Sequence, residues 1–317
     1  MVRRMDASTA AVAAAVVTML LWASSFVVIR FTGTYFSPGV MAFCRLFVGT
    51  LALAVVAVRH RSRLPRGRSL ALVLIYGVLW FGAYTVLLNW AERHLDAGTA
   101  SLLVNFAPII VAVAAGLFLG EGFPRPLIVG MTTAFVGVVV IAVGGSGGGT
   151  NDLLGISLGL VTALLYAAGV LTQKAALRSV DSLTATWVGC AAGMLATVPF
   201  APSSIGELAH APASAVVGVI YLGVGPTAIA FTTWAFALTR TDAGKLAATS
   251  LAVPALAILL SWLTLGEVPT IYGFVGGTLC LGGVAMSRRP PRTAAPVVTD
   301  HDTDPVVRPL TPSRDLT

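Results

Sequence analysis

The sequence predicts an all-α integral membrane protein of ten transmembrane helices, arranged as two inverted-topology five-helix repeats around a central cavity. Three observations carry that expectation. Of the 317 residues 56% are hydrophobic and only 10% charged, where a soluble domain carries roughly 25% charged. The apolar residues fall into runs of membrane-crossing length. The second half of the chain also repeats the first after an odd number of such runs.

The charge distribution sharpens the first point. Nine of the 33 charged residues lie after Met286, which leaves 24 to solvate the first 286 residues. A water-soluble globule and a disordered chain are excluded. Cys44, Cys190 and Cys280 all sit inside apolar runs, and an odd buried set is not a disulfide framework.

A membrane helix needs about 20 mostly apolar residues to cross ~30 Å of hydrocarbon. Runs of that kind fall near 10–29, 39–58, 70–91, 97–119, 126–143, 153–173, 183–201, 213–236, 244–265 and 269–286. Turn and charge chemistry separates them: Ser37-Pro38-Gly39, the Arg59 to Arg68 segment, Gly120 to Pro126, Gly144 to Asp152 and Pro202 to Pro212. Transmembrane β-strands alternate apolar and polar residues over ~10-residue segments, and these runs do not. The first run exceeds the 7–15 residues of a signal-peptide apolar region, so it is expected to stay as a span. The organisation predicted is an N-terminal segment 1–9, a first repeat 10–143, a Gly-rich linker 144–152, a second repeat 153–286 and a disordered tail 287–317.

Orientation follows from positive charge, which collects on the cytoplasmic side. With the N-terminus inside, 17 Lys and Arg fall on cytoplasmic segments, against Arg30 and Arg93 outside and Arg45 within a span. The expected location is the cytoplasmic membrane, multi-pass, with both termini in the cytoplasm. The net charge of +7 is then a topology signal; the partners expected are the lipid bilayer and a small-molecule substrate, with no nucleic acid.

A shift of 144 places Leu20-Leu21-Trp22-Ala23 on Leu164-Leu165-Tyr166-Ala167, Arg30 on Lys174, Gly49 on Gly193 and Trp90-Ala91 on Trp234-Ala235. A shift of 146 then places Asp96-Ala97-Gly98 on Asp242-Ala243-Gly244, Pro108 on Pro254, Leu119-Gly120-Glu121 on Leu265-Gly266-Glu267, and Gly130 and Gly137 on Gly276 and Gly283. Each half holds five runs, so the second enters the membrane from the opposite side. Two such halves are the mark of many secondary transporters, with the substrate site near the midplane between them. The GGSGGGT segment at 144–150 lacks the Lys of a phosphate loop and reads as a flexible linker. No nucleotide site and no cofactor are expected.

The chain resembles the drug/metabolite transporter superfamily, EamA type. The residues behind the resemblance are LLWASSFVVIR at 20–30, SPGVMAFCRLF at 37–47, AGTASLLVNFAPIIVAVAAGLFLGE at 97–121 and AGKLAATSLAVPALAILLSWLTLGE at 243–267. The resemblance implies a ten-helix basket with helices 1, 3, 4, 6, 8 and 9 around the cavity and helices 5 and 10 peripheral. It further implies export or exchange of amino acids, other metabolites or drugs.

A charge inside a span is functional by default because it is costly there; Arg45 is the clearest case, with snorkelling to the headgroups the competing reading. Arg30 and Lys174 are candidate gates, or cations meeting helix C-terminal dipoles. Asp96 and Asp242 read as N-caps, Glu121 and Glu267 as turn residues. Pro108 and Pro254 are candidate hinges, since each removes a helix hydrogen bond. Trp22, Tyr84, Asn89, Ser101, Asn105, Tyr166, Thr233 and Ser250 are candidate cavity residues, because buried amides, phenols and hydroxyls need partners away from lipid. The interfacial aromatic belt competes for Trp90 and Trp234. Small-residue spacings such as Gly116 to Gly120 allow close helix approach; they leave a homodimer open without identifying its face.

Two other function classes are disfavoured. An intramembrane enzyme lacks its chemistry: no histidine of the four lies in a span, so no embedded Ser-His pair forms, and no metal-ligand spacing occurs. A channel needs a continuous polar stripe, which the runs do not carry. No Asp or Glu lies mid-span, against an internal proton relay; facilitated efflux, or coupling through Glu92 and Asp96, stays open.

Overall fold

The apolar runs form helices, interrupted by a few turns, in the structure, a computed structural model; the described residues are 7–60, 64–94, 103–144, 153–265 and 270–289. No strand occurs among them. Ser101, Asp96, Glu267, the linker from Gly145 and the tail from Pro290 lie outside the described residues, as do the Arg30 and Glu92 side chains.

The helices, in order, are α1 (Ala7–Thr32), α2 (Pro38–Arg59), α3 (Gly67–Tyr76), α4 (Tyr84–His94), α5 (Ala107–Phe118), α6 (Arg125–Gly144) and α7 (Leu153–Ala176). After them come α8 (Ser182–Ala196), α9 (Ala201–His210), α10 (Ala213–Leu222), α11 (Ala230–Leu238), α12 (Ala243–Thr249), α13 (Val253–Leu265) and α14 (Ile271–Ser287). Among the described residues, seven helical stretches are long and apolar enough to cross a membrane, or eight if Ser182–Ala196 and Val198–His210, bent by 50°, form one; Ala107–Phe118 and Ile271–Ser287 are shorter apolar helices. This is a multi-pass, all-helical membrane protein.

Two irregularities recur in both halves. A π-helical turn, Gly77–Ala83, joins α3 to α4, and another, Gly223–Ile229, joins α10 to α11. The shift between them is 146. The starts of α3 and α10 keep the same shift, while α2 and α8 start 144 apart. The two-residue insertion therefore falls in the connection that follows α2 and α8–α9, ahead of the π turns. That corrects the register expected at Trp90 and Trp234. Trp234 is fully buried and Trp90 is 45% exposed, so the two are not equivalent, and Trp234 cannot belong to an interfacial belt. The second irregularity precedes the matched prolines. Asn105 and Phe106 form a turn before α5, and Ser250–Ala252 form a 3₁₀ turn before α13. Pro108 consequently lies in the first turn of α5, where its missing N–H costs nothing.

The halves meet along glycine faces. A methyl group built on Gly137 would stand 2.5 Å from Gly276 O, and one built on Gly276 the same distance from Gly137 O. Gly130 and Gly283 repeat this reciprocal contact, again at 2.5 Å. As one index rises the other falls, so α6 and α14 cross antiparallel. Cys190 Sγ donates to Leu46 O at 3.7 Å and Cys280 Sγ to Ala134 O at 3.4 Å. In both pairs a residue touches its own repeat counterpart, which happens only beside a symmetry axis.

Candidate functional site

The cavity grows out of helix periodicity. Trp22, Ser25, Phe26 and Ile29 share one face of α1, and Trp80, Tyr84, Thr85 and Leu88 one face of the π turn and α4. Spacings of three, four and seven residues bring such side chains together. Arg45 enters from α2, Asn105 and Pro108 from the broken entry to α5, Tyr166 from α7, Phe231 from α11, and Ser250 and Val253 from the turn before α13. The cavity measures about 90 Å³, well below the ~300–1,000 Å³ of a drug-sized pocket. Neither α6 nor α14 reaches it.

Of the residues expected to line a site, the structure therefore brings together Trp22, Arg45, Tyr84, Asn105, Tyr166, Ser250 and Pro108. Asn89 and Thr233 do not join them. Asn89 Nδ2 donates to Pro38 O at 3.0 Å, tying the end of α4 to the start of α2. Thr233 Oγ1 lies 2.8 Å from Thr18 Oγ1, toward the other end of the bundle. Phe26, Ile29, Trp80 and Leu88 are among the lining residues that sequence reading missed. Extending the helical face outward from Trp22 and Tyr84 by four and seven residues would have found them.

Arg45 is half-buried, and its Nε donates to Thr227 Oγ1 at 2.9 Å. Thr227 is fully buried in the second π turn, so the guanidinium is drawn inward. Among the described residues that line the cavity, Arg45 is the one that carries a charge.

An aromatic block floors the cavity. The Trp22 ring lies 5.0 Å from that of Trp234 and 5.4 Å from Phe231, and Trp80 lies 5.0 Å from both Phe231 and Tyr166. Edge-on and tilted contacts at these separations are favourable, by ~0.5–1.5 kcal/mol per pair beyond burial.

Below the floor, the end of the bundle that carries Glu121 and Lys174 is bonded shut. Thr18 Oγ1 also reaches Ala230 O at 3.2 Å. Lys174 Nζ donates to Leu238 O at 2.7 Å, the last residue of α11, and to Thr241 O at 2.6 Å, in the turn beyond it. Glu121 is more than a turn residue. Its two carboxylate oxygens accept from Ala243 N at 2.7 Å and Gly244 N at 2.9 Å, so it caps α12 from the other half. Asp242, expected to cap that helix, makes no side-chain cap bond and pairs instead with Lys245 at 2.7 Å. Arg288, just past α14, donates to Thr249 Oγ1 at 3.2 Å; burial lowers its pKa from the ordinary arginine value.

The comparisons with known proteins agree with this architecture. The model of the EamA-like transporter family matches twice, over residues 9–143 and 153–289. A protein of Streptantibioticus cattleyicolor named "Probable terminal-alkyne amino-acid exporter" is 34% identical over 279 residues, 88% of this chain and 93% of that one. A Salmonella typhimurium protein named "Probable amino-acid metabolite efflux pump" is 25% identical over 282 residues, covering 85% and 92%. A solved crystal structure superposes with a TM-score of 0.71 at 20% identity, covering 88% of this chain and 96% of its own, which shows the fold. With two family-length halves, a cavity between them and relatives that are transporters over nearly their whole length, this chain belongs to the EamA-like transporter family.

Proposed function

We propose that this transporter exports or exchanges a small amino acid or related metabolite by alternating access, through ten spans in two inverted five-helix repeats. The observation that carries the reading is a cavity lined from both halves and sealed at one end by bonds between them, Thr18 to Thr233 and Glu121 to α12. The ten-span count is supported by the seven long spans, the bent pair and the two shorter apolar helices. Inversion is supported by the antiparallel glycine contacts and by the two counterpart pairs, because a two-fold axis along the bilayer normal relates parallel helices. With both termini in the cytoplasm, the sealed end is cytoplasmic and the cavity faces outward.

In this reading the flexing points are the breaks that precede α5 and α13, just ahead of Pro108 and Pro254. Lys174 takes part in the cytoplasmic gate by holding the end of α11. The narrow cavity favours a small metabolite over a bulky drug, and the names of the two relatives point the same way.

Export profiling tests the function. Cells overexpressing the protein are expected to accumulate specific amino acids or metabolites in the medium at several times the level of cells expressing Arg45→Ala. Identical profiles for both strains and an empty vector sink the reading. A topology reporter fused within Arg59 to Arg68 is expected to report the cytoplasm; an external signal reverses the orientation.

A further inference from the structure

We propose that Tyr76, Gln173, Thr184 and Trp234 form an inner station of the transport route, a polar site beneath the aromatic floor that takes hydrogen-bonding partners: water while the cytoplasmic end is sealed, and the polar groups of the solute once it opens. The assignment rests on the carrier reading above and deepens it. All four side chains are fully buried. Tyr76 Oη, Thr184 Oγ1, Trp234 Nε1 and both amide atoms of Gln173 make no hydrogen bond to the protein. They are five of the six such atoms among the described residues, and the sixth, Asn89 Oδ1, belongs to the other end of the bundle. Together they offer donors and acceptors without charge. Leaving such atoms unpaired is costly, and proteins keep them where ordered water or function meets them.

The helices place the four together. Tyr76 ends α3, and Gln173 lies in the last turn of α7, next to Lys174. Thr184 lies in the first turn of α8, and Trp234 one turn before Leu238 in α11. The layer is therefore just above the bond from Lys174 to Leu238 O. The Tyr76 hydroxyl lies near the Gln173 amide and the Thr186 hydroxyl without hydrogen-bond geometry to either. Trp80 roofs the layer. Its ring is 6.4 Å from that of Tyr76 and 5.9 Å from that of Trp234, and its Cβ stands against Gly169, one turn of α7 before Gln173.

The repeat supplies an independent argument. At a shift of 144 Gln173 corresponds to Ile29 and Thr184 to Val40; at 146 Tyr76 corresponds to Leu222 and Trp234 to Leu88. Ile29, Val40 and Leu222 belong to one apolar cluster at the opposite end of the bundle, and Ile29 and Leu88 line the cavity. Aliphatic side chains thus satisfy packing at these places, and the polar set answers another demand. Alternating access in an inverted repeat exchanges the conformations of the two halves. When the cytoplasmic end opens, Gln173 and Trp234 then line the inner cavity as Ile29 and Leu88 line the outer one.

Two measurements test the station. Synchrotron radiolysis of the purified full chain makes hydroxyl radicals from water, so a buried ring is oxidised only where water lies beside it. After correction for intrinsic reactivity, Tyr76 and Trp234 are expected to oxidise several times faster than Phe36, which is buried in the apolar cluster. Gln173→Leu should bring Tyr76 down to the rate of Phe36. Export profiling of cells is read in parallel. Gln173→Leu is expected to cut export severalfold while the melting temperature holds or rises, because an apolar residue of similar size replaces two unpaired atoms. A merely structural glutamine would lower both together. Should Gln173→Leu not fold, Trp234→Phe serves, since it keeps an aromatic ring and drops the N–H, and the same loss of export is expected. Oxidation of Tyr76 and Trp234 no faster than that of Phe36 overturns the site. Undiminished export in both variants overturns its place on the route and leaves the carrier standing. Export by the parent no greater than from an empty vector overturns the carrier reading and the station's transport role with it, while radiolysis still decides whether the site holds water.

Discussion

Gly283→Val is expected to abolish recovery of folded, monodisperse protein, while Gly282→Val one residue away leaves yield and melting temperature near those of the parent. The contrast is geometric. A Cβ on Gly283 would lie 2.5 Å from Gly130 O and 2.8 Å from Ala134 Cα, whereas one on Gly282 meets nothing within 4 Å. The obstacle at Gly283 is backbone, so rotamer changes cannot relieve it and α6 must back away from α14. That forfeits the packing contacts that replace the hydrophobic effect between helices in lipid, and the cost lies at or above the top of the ~1–3 kcal/mol range of overpacking. The pseudo-symmetry adds a second expectation. Gly137→Val faces Gly276 as Gly283→Val faces Gly130, so the two should lower yield alike. Size-exclusion profiles and thermal melts in detergent read both. Normal yield for Gly283→Val would mean that the α6–α14 crossing does not hold the halves together.

The span pattern was legible because lipid demands long apolar runs, and the halves were legible because rare letters such as Asp96, Pro108 and Glu121 recur in one register. What stayed hidden depends on partners far apart in the chain. Arg45 could be read as snorkelling or functional because nothing near it marks Thr227, 182 residues on, as its acceptor. Asp242 looked like a cap because caps are read locally, yet the cap comes from Glu121. The register went astray ahead of the π turns, in the connection that follows α2 and α8–α9, where the two halves differ in structure. Matching Trp90 to Trp234 pulled the alignment two residues out of step across a stretch of interchangeable apolar letters.

Glu121→Ala is expected to shift the resting transporter toward its inward-facing form and to lower transport by more than tenfold. The carboxylate meets two backbone N–H groups at the positive end of α12, and hydrogen bonds to a charged group are each worth ~1.5–3 kcal/mol net. Those bonds join the halves where the cavity is sealed, so in the proposed orientation they stabilise the outward-facing form over any form in which α5 and α12 part. A ligand-free bias of about 3 kcal/mol is a factor of ~150 in population, so removing it deepens the inward state that the carrier must leave in each cycle. Glu121→Gln keeps an acceptor without the charge and should fall between the parent and Ala. The readout is Val104→Cys, which lines the cavity, labelled by a membrane-impermeant thiol reagent from outside; Cys44, Cys190 and Cys280 are buried and give little background. Labelling should fall in the order parent, Gln, Ala. If thermal stability drops while labelling stays level, Glu121 is a cap for α12 and nothing more, and the seal between Thr18 and Thr233 is left to hold the cytoplasmic end by itself.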